Sequence, residues 1–125
     1  MPGPMRLIAL RGATTVEVNE AGPILTATGE LMHELLERNG LDASHLVSCI
    51  FTLTEDLDAE FPAVAARKMG LSAVPLLCAR EVPVPGALPR IIRVLIHCYC
   101  ADDHEPQHVY LGEAAALRLD ISGAQ

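Results

Sequence analysis

The sequence predicts an α+β domain in which a mixed β-sheet carries its helices on one face. Short apolar runs alternate with two segments whose apolar residues recur at helical spacing, in the order β-α-β-α-β-β. The length of 125 residues suits one domain, with neither repeats nor a linker. We therefore expect a single domain over residues 1–125, with flexible ends at residues 1–4 and 122–125.

The first half of the chain supplies two strands and the longer helix. Residues 6–11 are an apolar run bounded by arginines, which predicts a strand that residues 12–15 either continue or turn out of the sheet. An apolar stripe at helical spacing predicts an amphipathic helix over residues 21–39, which the pair Asn39-Gly40 caps. Residues 46–53 are apolar on both faces and predict the second strand.

The second half supplies a shorter helix and the remaining strands. Phe61-Pro62 opens a helix that stops at Gly70, because proline suits a first helical turn. Strands are predicted over residues 74–82 and 90–100, and a short extended segment over residues 108–111. Residues 113–117 predict one helical turn.

Composition excludes several classes of partner. The net charge of −7 argues against nucleic acid, and two Phe, two Tyr and no Trp provide no stacking platform for bases. No apolar run approaches the ~18 residues that would span a membrane, and no targeting signal is recognisable. Because no export signal is recognisable, the four cysteines are expected to be reduced thiols rather than disulfides. We expect a cytoplasmic protein whose 50% hydrophobic content serves subunit contacts in part.

Three charged residues occupy apolar strands or their ends. Arg93 lies inside the run Ile91–Ile96, and a buried cation must meet an anion or face a cleft. An internal salt bridge or an edge strand would also explain it. Glu81 closes the third strand and Arg11 the first, where each could be an ordinary strand-end charge. Together the three indicate an ionic site laid across a sheet.

Other constellations are weaker. Cys98 and Cys100 lie near three histidines, but strand alternation turns His97 to the opposite face, and no Cys-x-x-Cys pair supports a metal site. Cys78 could be a nucleophile, although nothing in the sequence places a base beside it. No glycine-rich phosphate loop is present. We therefore expect neither metal nor cofactor.

A set of short blocks, in order and with near-family spacing, resembles the trimeric α/β chorismate mutases. The blocks are Arg11–Val16, Phe61-Pro62-Ala63 with Arg67, Val74-Pro75 leading to Cys78 and Glu81, Ile92-Arg93-Val94, and His108–Leu111 leading to Leu117-Arg118. The resemblance implies rearrangement of chorismate, a dianion, to prephenate without metal or cofactor. It also implies a homotrimeric pseudo-α/β-barrel with each active site between two subunits.

The resemblance implies a role for individual residues. Arg93 would lie against the ether oxygen and a carboxylate, Arg11 and Tyr110 would hold the side-chain carboxylate, and Glu81 would accept from the ring hydroxyl. These implied catalytic residues are Arg93, Glu81 and Arg11. The remaining implied substrate contacts are Phe61, Ala63, Arg67, Leu77, Cys78 (through its backbone N–H), Tyr110, Leu117 and Arg118.

Two alternatives remain beside this assignment. One is a non-catalytic trimer of the same fold that binds an aromatic-pathway metabolite as a regulator. The other is a cysteine-dependent enzyme that uses Cys78. The chain also departs from the family at Val64, where members can carry Lys, so the pocket rim is expected to be less cationic.

Overall fold

The computed structural model describes residues 3–123, with side chains as far as residue 117. Seven strands and helices follow one another along the chain, accompanied by 3-10 turns at Ala43–His45 and Gly112–Gly123. Their bounds are β1 Met5–Thr15, α1 Ala21–Arg38, β2 Leu46–Leu53, α2 Pro62–Lys68, β3 Leu76–Arg80, β4 Ile91–Ala101 and β5 Val109–Tyr110.

The strands form one five-stranded mixed sheet in the order β3-β2-β4-β1-β5. The long strand β4 lies at the centre, antiparallel to both β1 and β2, while β3 and β5 are added in parallel at the two edges. The predicted α+β class and the mixed sheet are therefore confirmed. Because β4 is central, Arg93 does not lie on an edge strand.

One face of the sheet is covered by the helices. The stripe predicted for α1 is buried, with Ile24, Leu31 and Leu35 fully inaccessible. It packs on the alternate strand residues that point the same way, among them Leu10 and Phe51. This layer is the main hydrophobic core.

Within the part of the chain that the structure describes, no helix covers the central part of the opposite face. Its residues alternate with those of the core and include Ile50, which pairs with Leu95 across β2 and β4, and both are half-buried. Towards the margins the face is apolar and open, since Leu7, Leu77 and Tyr99 are 54%, 60% and 48% exposed. A sheet face of this kind in a small protein is expected to be covered by a partner.

Several boundaries differ from those that the sequence predicts. The first strand continues through Thr15, which was one of the two predicted alternatives, so Arg11 lies in its middle rather than at its end. The third strand is only Leu76–Arg80, because Pro75 and Pro83 on either side lack the N–H that a ladder needs. The final turn extends as a 3-10 helix over Gly112–Gly123. Residues 1, 2, 124 and 125 of the predicted flexible ends lie outside the described residues.

A short 3-10 turn at Ala43–His45 was not predicted. The Asp42 side chain accepts from the backbone N–H of Ser44, and the backbone N–H of Asp42 donates to the His45 ring. This capping box turns the chain from α1 into β2. The hydrogen bonds from Ser44 lower the pKa of the Asp42 carboxyl.

Among the described residues, each helix is too short or too polar to cross a bilayer.

Gly12 allows the long helix to approach the sheet closely. A Cβ at this position would lie 2.7 Å from Leu35 Cδ1, 3.1 Å from Leu31 Cδ1 and 3.2 Å from Val94 Cγ1. Both leucine side chains are fully buried, so they have little room to move aside. The glycine is therefore needed for packing rather than for an unusual backbone angle.

We predict that Gly12→Ala lowers the free energy of unfolding by about 1–3 kcal/mol, because it overpacks this contact. Gly29→Ala is the matched control, since it lies inside α1 and its added Cβ would meet nothing within 4 Å. There alanine should stabilise by about 0.5–1 kcal/mol through helix propensity. Urea unfolding curves of both variants measure the difference, and equal effects would show that Gly12 is not a packing constraint.

Candidate active site

An ion pair crosses the uncovered face of the sheet. Arg93 Nε donates to Glu81 Oε1 over 2.7 Å, and the two side chains are only 30% and 15% exposed. Arg93 belongs to β4, whereas Glu81 follows β3, and β2 lies between these strands. The guanidinium therefore reaches across β2 at the level of Thr52, which is opposite Arg93 in the register.

Glu81 is held by the sheet rather than by a free loop. Its backbone N–H donates to the carbonyl of Leu53 over 2.8 Å, which continues the pairing of β3 with β2 for one residue beyond the strand. The carboxylate is thus anchored on the same face as Arg93. The structure contains both outcomes considered for Arg93, because the guanidinium is salt-bridged and also faces a hollow.

Arg11 lies on the same face one strand further on. It is opposite Leu95 in the pairing of β1 with β4, and its backbone N–H donates to His108 Nδ1 over 3.0 Å. Among the described residues its guanidinium has neither a hydrogen bond nor an ion pair. Tyr110 of β5 is opposite Ala13, which lies two residues after Arg11 and is paired with Arg93 on its other side.

These side chains line two hollows that meet at Arg93 and Thr52. The first has a volume of about 300 Å³, and the second, towards Glu81 and Leu117, has about 590 Å³. The first is lined by Arg11, Gly12, Ile50, Thr52, Arg93, Val94, Leu95 and Tyr110. Its walls are thus mostly apolar, with two guanidinium groups as the charged features.

The charges around the hollows favour an anion. Arg11 and Arg93 bring two positive charges to the first hollow, although the chain as a whole carries −7. In the second hollow Glu81 balances Arg93, and the exposed Arg80 adds a further positive charge. A guanidinium presents a planar fork of donors that matches a carboxylate. The arrangement can therefore bind a small molecule with carboxylates, whose ring would contact the aliphatic walls.

Other predicted site residues lie apart from these hollows within one chain. Phe61 and Leu77 are 62% and 60% exposed, and Arg67 is exposed on α2. Ala63 is 3% exposed and packs in the main core, so its side chain faces away from solvent. Arg118 lies outside the residues whose side chains the structure describes.

The cysteines lie on the helix side of the sheet. Cys78 packs against the main core, as the predicted alternation with Glu81 requires, and it lines neither hollow. Burial raises the pKa of the Cys49 and Cys98 thiols to about 11, so both are neutral at physiological pH. Nucleophilic thiolates sit instead in electropositive, accessible surroundings. Among residues 3–117, whose side chains the structure describes, no group of three or more His, Cys, Asp or Glu is arranged to hold a metal ion.

Sequence reasoning missed Thr52. Its hydroxyl is buried and has no hydrogen-bond partner among the described residues, and it lines both hollows. Its position two residues before Thr54, within an apolar run, does not indicate that it lies at the site. The observation that would have identified Thr52 is its pairing with Arg93, and this pairing depends on the strand order.

Comparison with known proteins gives a consistent result. The sequence model described as "Chorismate mutase type I" matches residues 7–121. The chain is 51% identical to "Chorismate mutase AroH" of Thermus thermophilus over 93% of this chain and 97% of the relative. It is 36% identical to "Chorismate mutase AroH" of Bacillus subtilis (strain 168), over 94% of each.

A solved structure agrees with these sequence matches. The chorismate mutase from Clostridium thermocellum superposes with a TM-score of 0.85 at 46% identity, covering 88% of this chain and 99% of that one. The fold, the aligned length and the level of sequence identity therefore all indicate the same family. The chain belongs to the chorismate mutase type I family.

Proposed function

We propose that this chain isomerises chorismate to prephenate on the uncovered face of its sheet, as a step of aromatic amino acid biosynthesis. The observation that carries the proposal is the Arg93–Glu81 ion pair beside the uncommitted guanidinium of Arg11, in hollows with apolar walls. Membership of the family favours this enzyme over a non-catalytic regulator of the same fold. The position of Cys78 on the helix side argues against the cysteine-dependent alternative.

The reaction is an intramolecular rearrangement of the Claisen type. One C–O bond breaks while one C–C bond forms, and no proton or electron is exchanged with the protein. The protein has to hold a compact conformer of the substrate and stabilise negative charge that develops on the ether oxygen. Arg93 supplies the cation for that charge, and its backbone is held in the central strand β4 beside Glu81.

Binding and orientation fall to the groups around Arg93. Arg11 and Tyr110 hold the side-chain carboxylate, because the Arg11 guanidinium has no competing partner among the described residues. Glu81 retains lone pairs beyond its bond to Arg93, and these can accept from the ring hydroxyl. Leu117 borders the second hollow and adds an apolar wall.

The enzyme is further proposed to be a homotrimer with shared sites. Support comes from the open apolar sheet face and from the separation of Phe61 and Arg67 from the hollows of their own chain. A neighbouring subunit would bring that segment to the site. A cytoplasmic location is proposed as well, and the four free cysteines support it, since free thiols are typical of reducing compartments.

The purified protein should consume chorismate and form prephenate in buffer with excess EDTA and no nucleotide. The roles assigned above need only side chains of the chain itself. Chorismate absorbance followed in a spectrophotometer measures the reaction. Activity that appears only after a divalent metal is added would contradict the proposed mechanism.

Arg93→Ala should lower kcat by ~10²–10³-fold or more while the protein still folds, because the lost cation acts mainly in the transition state. Arg93→Lys should recover only part, since an ammonium cannot span two acceptors as a guanidinium does. Arg11→Ala is the comparison, and it should raise KM more visibly than it lowers kcat. An Arg93→Ala enzyme with raised KM and kcat within about twofold of wild type would refute the assigned role.

Light scattering should give three times the chain mass of 13.4 kDa. If sites are shared, an inactive Arg93→Ala protein mixed with an inactive Arg67→Ala protein should regain activity, because mixed trimers contain some intact sites. Lys68→Ala, whose side chain lies next to Arg67 and is also exposed, is the control that should stay active alone. A fully active monomer would exclude shared sites.

A further inference from the structure

Thr52 occupies an unusual place beneath the ion pair. It lies on β2, between the strand of Arg93 and the strand that leads to Glu81, and it borders both hollows. Its Oγ1 is inaccessible to solvent and has no hydrogen-bond partner within the described part of the chain. No other described side chain that is not exposed has such an atom.

An unpaired buried hydroxyl is unfavourable, so its presence needs a reason. The neighbours Phe51 and Leu53 are apolar, and valine would fit the same strand with nearly the same shape and no polar atom. Thr28 shows the usual arrangement, because its buried hydroxyl donates to the carbonyl of Ile24 over 2.8 Å. Thr52 therefore retains a donor that the free chain does not use.

The ion pair explains when that donor would be needed. Arg93 donates its Nε to Glu81 in the free chain, and a bound anion competes for the same guanidinium. As the guanidinium turns towards the substrate, the Glu81 carboxylate loses part of its partner while it remains largely buried. A partly buried carboxylate in that situation needs another donor to stay in place.

We propose that Thr52 is a positioning residue whose hydroxyl donates to the Glu81 carboxylate when substrate occupies the site. The bond holds Glu81 against the ring hydroxyl of the substrate and frees Arg93 for the ether oxygen. No proton is transferred, since the hydroxyl acts only as a donor. The proposal rests on the proposed function, in which Glu81 and Arg93 both contact chorismate.

The test compares Thr52→Val, which removes the hydroxyl and keeps the shape, with Thr52→Ser, which keeps the hydroxyl. Thr52→Val should raise Tm by about 3 °C or more, because an unpaired polar group leaves the interior. The same variant should lose about tenfold or more in kcat/KM for chorismate. Thr52→Ser should stay within about threefold of the wild-type kcat/KM.

Thr28→Val is the matched control, since it removes a buried hydroxyl that already has a partner. Its Tm should not rise and its kcat/KM should equal that of wild type. A purely structural Thr52 would not raise stability and lower activity in the same variant, so the opposite movements identify positioning.

Two outcomes would overturn the proposal. Thr52→Val with wild-type kcat/KM would show that the hydroxyl does not serve catalysis. A lowered Tm in Thr52→Val would show that the hydroxyl is already paired in the assembled protein. A wild-type protein that fails to convert chorismate would instead refute the proposed function, so the two failures are distinguishable.

Discussion

The ion pair between Arg93 and Glu81 constrains everything else on the uncovered face. A guanidinium on the central strand is tolerable only because a carboxylate from the far side of β2 reaches it. The two partners come from opposite sides of β2, so the ion pair links β4 to the end of β3 across the strand between them. It also places two opposite charges side by side in a partly desolvated position, where electrostatic interactions are stronger than in water.

The two faces of the sheet have different roles, one in stability and the other in ligand binding. On one face, apolar side chains pack under α1 and α2 and supply most of the buried core. On the other, the same strands present Arg11, Arg93 and Thr52 on a surface that the chain itself leaves open. Strand alternation thus lets one set of strands serve stability and ligand binding without conflict. The cost is an apolar margin around Leu77 and Tyr99 that a lone chain leaves exposed to water.

Local patterns predicted most of the fold, but long-range pairing was beyond them. The helical stripe of α1 and the strand Leu46–Leu53 follow from apolar spacing, and the structure confirms both. Arg93 attracts notice because a charge interrupts an apolar run. That Glu81 is its partner depends on strand order, which spacing does not encode. Thr52 escapes notice altogether, since threonine is common in strands and its importance lies in what is opposite it.

The pairing of β1 with β4 has a consequence for how the chain is made. Met5 is opposite Ala101 and Thr15 is opposite Ile91, so β1 cannot pair until the much later strand β4 has been synthesised. The centre of the sheet therefore cannot close until residues 91–101 have left the ribosome. Contacts so distant in sequence are slow to form, and the apolar strands stay unpaired meanwhile. The helix α1 follows β1 directly in the chain and packs on it, so it is the first element that can shield β1 from other nascent chains.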